Sequence, residues 1–419
     1  LLKSGTREQV PPGFSWDGET QRWDISGVCQ GLSFLYAIDP SNGKEAFFKK
    51  LKAISLWDGS LESLALPVQG EEEFGNLGEL MDQWINEVLW FQCDTDEGPE
   101  GLMAMSQQHM KERFDVVARR EQHLVQEGPL RLDGVSTQGL LEVLEVLRFQ
   151  VGKSVILIAE HTFGSLHAVV LTPLQGGGWS YYDSNMQHQL RDSLSTENVR
   201  DLLLAYFLPS EGRENIDLLV SILTYGNGPD RNIEQPDMPE KSACGWTALH
   251  VAQLIGSPKA TEDLLQSADF STDHLLARDA FGNTPLLLAI AMGAADKIRL
   301  QLSSVPKEIC RQLLAQRNSR GITPLSLAAI WSDVACVEAL LDCCAPEHRY
   351  EILCATNAFR NFGVQHCLVE RSPDMAVSLY DTLTKYMNVE ERKAWIQQEF
   401  EPGCTARTRA RNNPALLER

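Results

Sequence analysis

The apolar positions of this chain change their spacing near residue 240. Beyond it they fall into blocks of one design: CGWTALHVAQLIG at 244–256, FGNTPLLLAIAMG at 281–293 and RGITPLSLAAIWS at 320–332. Gly245, Gly282 and Gly321 stand 37 and 39 residues apart, each two positions ahead of a threonine that opens a Leu- and Ala-rich run. A fixed period of this length predicts stacked helical repeats, with small residues letting neighbouring helices approach. Thr-Pro suits a helix entry, because proline is tolerated in the first turn. Insertions such as SVPKE at 304–308 would account for the long spacing.

Before residue 225 nothing repeats. Apolar spacings of three and four predict helices at 29–38, 45–57, 75–92, 102–120 and 136–149, the last with Ser136 as N-cap. The 75–92 face carries Leu77, Leu80, Met81, Trp84, Ile85 and Val88. Runs rich in β-branched and aromatic residues then predict strands at 154–160, 166–174, 179–185 and 202–209, with QGGG at 175–178 as a turn. Helices followed by an antiparallel sheet give an α+β order. The stretch 225–242, rich in Gly, Pro, Asn and Asp, marks a boundary between domains at 14–225 and 240–400.

A length of 419 residues suits two or three domains. The formal charge of −20 makes nucleic acid or an anionic membrane a poor default partner. No apolar stretch is long enough to span a bilayer, and the opening LLKSGTREQV lacks a signal-peptide pattern. The ten cysteines are sparse and mostly sit in apolar helical stretches, as reduced thiols in a cytosol-like compartment do. Cys343, Cys344, Cys354, His366 and Cys367 invite a zinc reading, but their spacing is no standard knuckle. No cofactor motif is present.

The candidate chemistry lies in the first half. Cys29 opens a predicted helix, framed by Gly27 and Gly31. His167 begins one strand and Asp183 ends the next, so a hairpin turning at QGGG would bring them to one open end. An acid orienting an imidazole that deprotonates a thiol is the arrangement of nucleophilic catalysis. A helix N-terminus and an imidazolium would both favour the thiolate. His161 and His188 are rival bases. Trp16, Trp23 and Trp179 are core or groove-rim residues. Glu71, Glu72, Glu73 and DTDEGPE at 94–100 read as a hydrated acidic surface, which would favour a basic peptide or polyamine-like partner if it borders the cleft.

The three blocks resemble ankyrin repeats, with a worn fourth copy from Phe362 and closing helices at 376–387 and 390–399. GVCQGLS with the distant His167 and Asp183 resembles papain-fold cysteine proteases, the YopT/AvrPphB type of bacterial effector, over residues 14–210. The pairing with repeats is similar to certain Legionella ankyrin effectors. The resemblance implies Cys29 as nucleophile, His167 as base and acid, and Asp183 as orienting acid. It places a neutral amide five or six residues before the cysteine, where this chain has Trp23 and Asp24, with Gln21 the nearest amide. The oxyanion donors would then be Gln21 and the Cys29 N–H, with Asp24 repelling an oxyanion. The fold expected is a papain-like α+β domain followed by an all-α ankyrin solenoid. The function expected is thiol hydrolysis, in the host cytosol or nucleus, of a host protein held on the concave face of the repeats. Acyl transfer would use the same residues. The alternative is a non-enzymatic host-protein interaction module on a repurposed protease scaffold.

Overall fold

The structure is a computed structural model and describes residues 15–17, 22–24, 29–38, 45–55, 62–68, 74–81, 83–84, 124–160, 166–184, 191–207, 215–225, 242–330, 334–355, 373–401 and 404–405. The chain divides into two compact units. The first takes Leu1–Gln126 and Gln150–Gly228, the second Glu127–Phe149 and Pro229–Arg419. The 23-residue stretch 127–149 thus leaves the flanking chain to join the repeats.

The first unit is a mixed β/α domain. It opens with a ribbon of β1 (Ser15–Asp17) and β2 (Arg22–Asp24), then α1 (Cys29–Ile38) and α2 (Glu45–Ser55). Residues 77–81 are helical within the predicted 75–92 helix; the 102–120 helix lies outside the described residues. The main sheet has the order β3-β8-β4-β5-β6-β7. Its strands are β3 (Leu124–Ser136), which enters this unit through its first residues, β4 (Ser154–Glu160), β5 (Leu166–Pro173), β6 (Trp179–Asp183), β7 (Arg191–Leu194) and β8 (Asn215–Tyr225). Central β4 reads SVILIAE, and its residues 155–159 are fully buried, as a strand covered on both faces requires.

Strand alternation assigns the two faces. Ile156, Ile158, Ala168, Val170 and Tyr182 share a core with Leu32, Phe34, Leu35 and Tyr36 of α1. There Tyr36 stacks on Tyr182 at 4.1 Å between centroids. The opposite face is covered by α4 (Thr196–Phe207), where Trp179 Nε1 donates to Thr196 Oγ1 at 3.3 Å. Residues 202–207 of the stretch 202–209, expected as a strand, are therefore the end of this helix, and 208–209 lie outside the described residues. The buried positions Val199, Leu203 and Phe207 recur every four residues, so the apolar run is one helix face.

The second unit begins with α3 (Thr137–Leu147), capped by Ser136 Oγ, which accepts from Gly139 N at 3.0 Å. The repeats follow as three triplets of helices. The first is α5 (Ala248–Leu254), α6 (Pro258–Leu265) and α7 (Thr272–Leu276). The second is α8 (Pro285–Ala291), α9 (Ala295–Ser303) and α10 (Lys307–Ala315). The third is α11 (Pro324–Ile330), α12 (Val334–Cys343) and α13 (Pro346–Leu353). Each member packs on its counterpart in the next triplet, which makes three columns, that of the second helices continued by α14 (Pro373–Thr384). The long period is explained by the third helix of each triplet, a whole element and not a loop insertion. Thr247 and Thr284 cap α5 and α8, and Thr323 Oγ1 accepts from Ser326 N. Gly245, Gly282 and Gly321 have φ of +70°, +78° and +74°, which glycine adopts without penalty. A Cβ at Gly282 would come 2.6 Å from Ser319 N, so this glycine also permits close approach of the next loop. α15 (Val389–Gln397) follows, with Trp395 Nε1 donating to the Leu353 carbonyl at 3.1 Å. The predicted fourth copy from Phe362 lies outside the described residues.

Candidate functional site

The β5–β6 hairpin builds the first candidate site. Leu174 N donates to Gly178 O at 3.0 Å across its turn, and the register pairs Val169 with Asp183. His167 and Asp183 therefore lie on one face near the open end, and His167 Nε2 meets Asp183 Oδ1 at 2.9 Å. Tyr181, two residues before Asp183 on the same face, donates its phenol to Asp183 Oδ2 at 3.1 Å. Burial, with Asp183 beside it, holds that phenol proton far beyond the ordinary tyrosine range. The His167 ring stacks on Tyr206 of α4, centroids 5.6 Å apart, and is 2% exposed. The carboxylate fixes Nε2 as the nitrogen facing it and leaves Nδ1 as the ring's other functional atom.

Cys29 is the first residue of α1, one turn ahead of Ser33, whose hydroxyl donates to the Ala168 carbonyl at 2.8 Å. The helix thus begins close in the chain to a contact with the residue after His167. Its packed side chains meet the sheet face bearing Ala168 and Tyr182, whereas His167, Tyr181 and Asp183 belong to the face under α4. The Cys29 side chain lies outside the described residues, as do Gln21, His161, His188, Glu71, Glu72, Glu73 and the 94–100 stretch. Asp24 ends β2 opposite Ser15, and Trp16 pairs in register with Trp23. Trp179 is wholly buried, a core residue and not a groove lining. Tyr181 was not singled out from the sequence; its place two residues before Asp183 in a strand was the available signal.

The repeats supply a second candidate surface, the ridge of loops between triplets. Ala280 N donates to Cys244 O at 2.8 Å and Ser319 Oγ to Phe281 O at 2.6 Å, tying each loop to its neighbour. Buried Asp279 organises the second loop, accepting from Phe281 N at 3.0 Å, Asn283 N at 2.7 Å, Asn283 Nδ2 at 3.3 Å and Trp246 Nε1 at 3.3 Å. Burial outweighs these donors and raises its pKa to about 6. His250 is pushed the other way, to about 4, because burial disfavours its charged form. Its Nδ1 meets Thr247 Oγ1 at 2.8 Å and its Nε2 the Asn283 carbonyl at 3.2 Å. At the start of the array, Glu142 of α3 accepts from Ser242 Oγ and, at 3.0 Å, from Cys244 N.

Cys343, Cys344 and Cys354 lie in or at the ends of the last triplet's helices, whereas His366 and Cys367 fall outside the described residues. Among the described residues no group of three or more His, Cys, Asp or Glu side chains is placed to hold a metal ion. No helix among them is long and apolar enough to cross a membrane.

These features define a mixed β/α domain joined to a helical-repeat array. Comparison with protein families gives no match, and comparison with curated proteins gives none either. Among solved structures the chain is similar to EF0377, an ankyrin repeat protein, at 16% identity, covering 41% of this chain and 93% of that one, with a TM-score of 0.27.

Proposed function

We propose that this protein is an interaction module whose helical repeats, of ankyrin type, hold a partner protein. The observation that carries this is the built loop ridge: three loops with a left-handed glycine at equivalent places, successive loops tied by hydrogen bonds. A stack of this kind offers an extended surface whose shape is fixed by the repeats and whose chemistry is set by loop side chains. On the resemblance of its motifs, the partner is a host protein met by a bacterial effector. Cross-linking of the full chain in a host-cell extract, with cross-links mapped by mass spectrometry, tests this. Cross-links concentrated in 242–355 are expected; a partner cross-linked solely to residues before 225 would refute it.

A second reading is favoured by one observation, the buried His167–Asp183 pair at 2.9 Å with Tyr181 behind it. Thiol chemistry would use Cys29 as nucleophile, His167 through Nδ1 as base and acid, and Asp183 as orienting acid, for hydrolysis or acyl transfer. Burial of the ring and its place on the α4 face weigh toward the interaction module. An electrophilic thiol probe separates the two readings. Selective labelling of Cys29 that collapses in His167→Ala supports the thiol chemistry; equal labelling of wild type and variant excludes it.

A further inference from the structure

Arg278 and Arg317 occupy equivalent places in successive loops, four residues ahead of Gly282 and Gly321. Each donates from Nη1 to the carbonyl of its own glycine, at 3.1 and 3.3 Å. Arg278 also reaches the next loop, donating to the Arg317 carbonyl and to Gln316 Oε1. All these acceptors of Arg278 are neutral, so its charge is spread over dipoles and is not cancelled by a carboxylate. Arg320 follows at the exposed tip of the same loop.

β3 brings two more groups to this ridge. Arg131 is 10% exposed and donates from Nε to Asp133 Oδ1, while its Nη1 is sealed from solvent with no acceptor among the described residues. Asp133 Oδ2 stands 3.8 Å from Arg320 Nε. One carboxylate thus serves two guanidinium groups, and a buried N–H still lacks an acceptor among the described residues. The Asp133–Arg320 contact is long and partly exposed, a weak tie in water, whereas a buried cation without full pairing is costly.

We infer that the ridge bearing Arg278, Arg317 and Arg320, with Arg131 beside it, docks an acidic segment of the partner protein, and that Asp133 occupies it in the free chain. This rests on the partner-binding function proposed above and gives that partner's chemistry. The formal charge of −20 makes the location selective: an acidic segment is repelled by the surface at large and drawn to a ridge where arginines gather. An incoming carboxylate displaces Asp133 Oδ2 from Arg320 and leaves Asp133 to Arg131.

The test uses the full chain and a fluorescent Asp/Glu-rich peptide, with a Ser/Gln-rich peptide of equal length and a short single-stranded oligonucleotide for comparison. Anisotropy should show binding of the acidic peptide in preference to both. Arg320→Glu, an exposed loop-tip change, should weaken it by about 10-fold and Arg320→Ala by about 3-fold. Asp133→Asn should tighten it by about 3-fold by removing the internal competitor. Three results overturn the inference: no preference for the acidic peptide in wild type or Asp133→Asn, indifference to both Arg320 variants, or tighter binding of the oligonucleotide with the same Arg320 dependence. Failure of the parent reading looks different. A protein cross-linked to 242–355 equally well by Arg320→Glu keeps the partner and loses the ridge. Peptide binding at the ridge with no protein cross-linked there keeps the ridge and loses the partner.

Discussion

Asp279 and His250 both touch Asn283, and burial drives their protons in opposite senses. Asp279, at about 6 in the fold against 3.8 for a free side chain, binds its proton more tightly folded than unfolded. Its contribution to stability therefore declines as pH rises from 4 to 6, by about 3 kcal/mol. His250, at about 4 against 6.5, stays neutral in the fold while the unfolded chain takes up a proton, so stability falls as pH drops from 6.5 to 4, by about 3 kcal/mol. The two slopes nearly cancel over that window. Asp279→Asn should unmask the histidine: urea unfolding of the variant should lose about 3 kcal/mol between pH 7 and pH 4 relative to wild type. Parallel curves would show that Asp279 is ionised at neutral pH at no cost. Tyr181→Phe removes one hydrogen bond to Asp183 without changing the packing, and a loss of about 1 kcal/mol in the same assay is expected. The proximity of His167 and Asp183 was legible because a hairpin turn fixes which strand residues meet. The face they occupy was not, since it depends on the helix covering each side of the sheet.

At the level of elements, sequence pattern served well where the chain punctuates itself. QGGG located the β5–β6 turn, and Gly-x-Thr located the start of each triplet's first helix. It failed at 202–207, where a densely apolar helix face imitated a buried strand, and at 215–225, where NIDLLVSILTY became β8 without having been expected. Long runs of apolar residues carry little periodicity, so burial on two faces hides the element type. The positive-φ glycines separate conformation from space. Gly134 has φ +74° with nothing within 4 Å of an added Cβ, whereas Gly282 has φ +78° and a backbone nitrogen 2.6 Å away. Gly134→Ala should cost about 1–2 kcal/mol, the price of the left-handed backbone alone. Gly282→Ala should cost distinctly more in the same thermal unfolding series, because two loops must separate; equal losses would mean that the loop contact contributes nothing.

For the molecule as a whole, the telling segment is 127–149, which composition gave no reason to separate from its neighbours. α3 reads as an ordinary amphipathic helix, and sequence cannot say which apolar surface it covers. The structure puts it with the repeats. Leu140, Val143, Leu144 and Leu147 are buried, the Cys244 thiol approaches the Gly139 carbonyl at 3.5 Å, and Glu142 holds Ser242 and Cys244 N. A repeat stack needs its end covered, because the first repeat otherwise presents apolar surface to water. The bonds from Gly139 and Glu142 to 242–244 set α3 at that end, so a fragment cut at the apparent boundary, 229–419, lacks them. Joining 127–149 to 229–419 through a flexible linker should restore a cooperative transition several degrees above that of 229–419 alone. In the full chain, Glu142→Ala leaves the Cys244 N–H without its acceptor at a cost of about 1–3 kcal/mol, and hydrogen exchange should quicken across 242–256 before it does in 285–330. Uniform exchange, or equal melting of the two fragments, would mean that the array closes its own end and that α3 only rests against it.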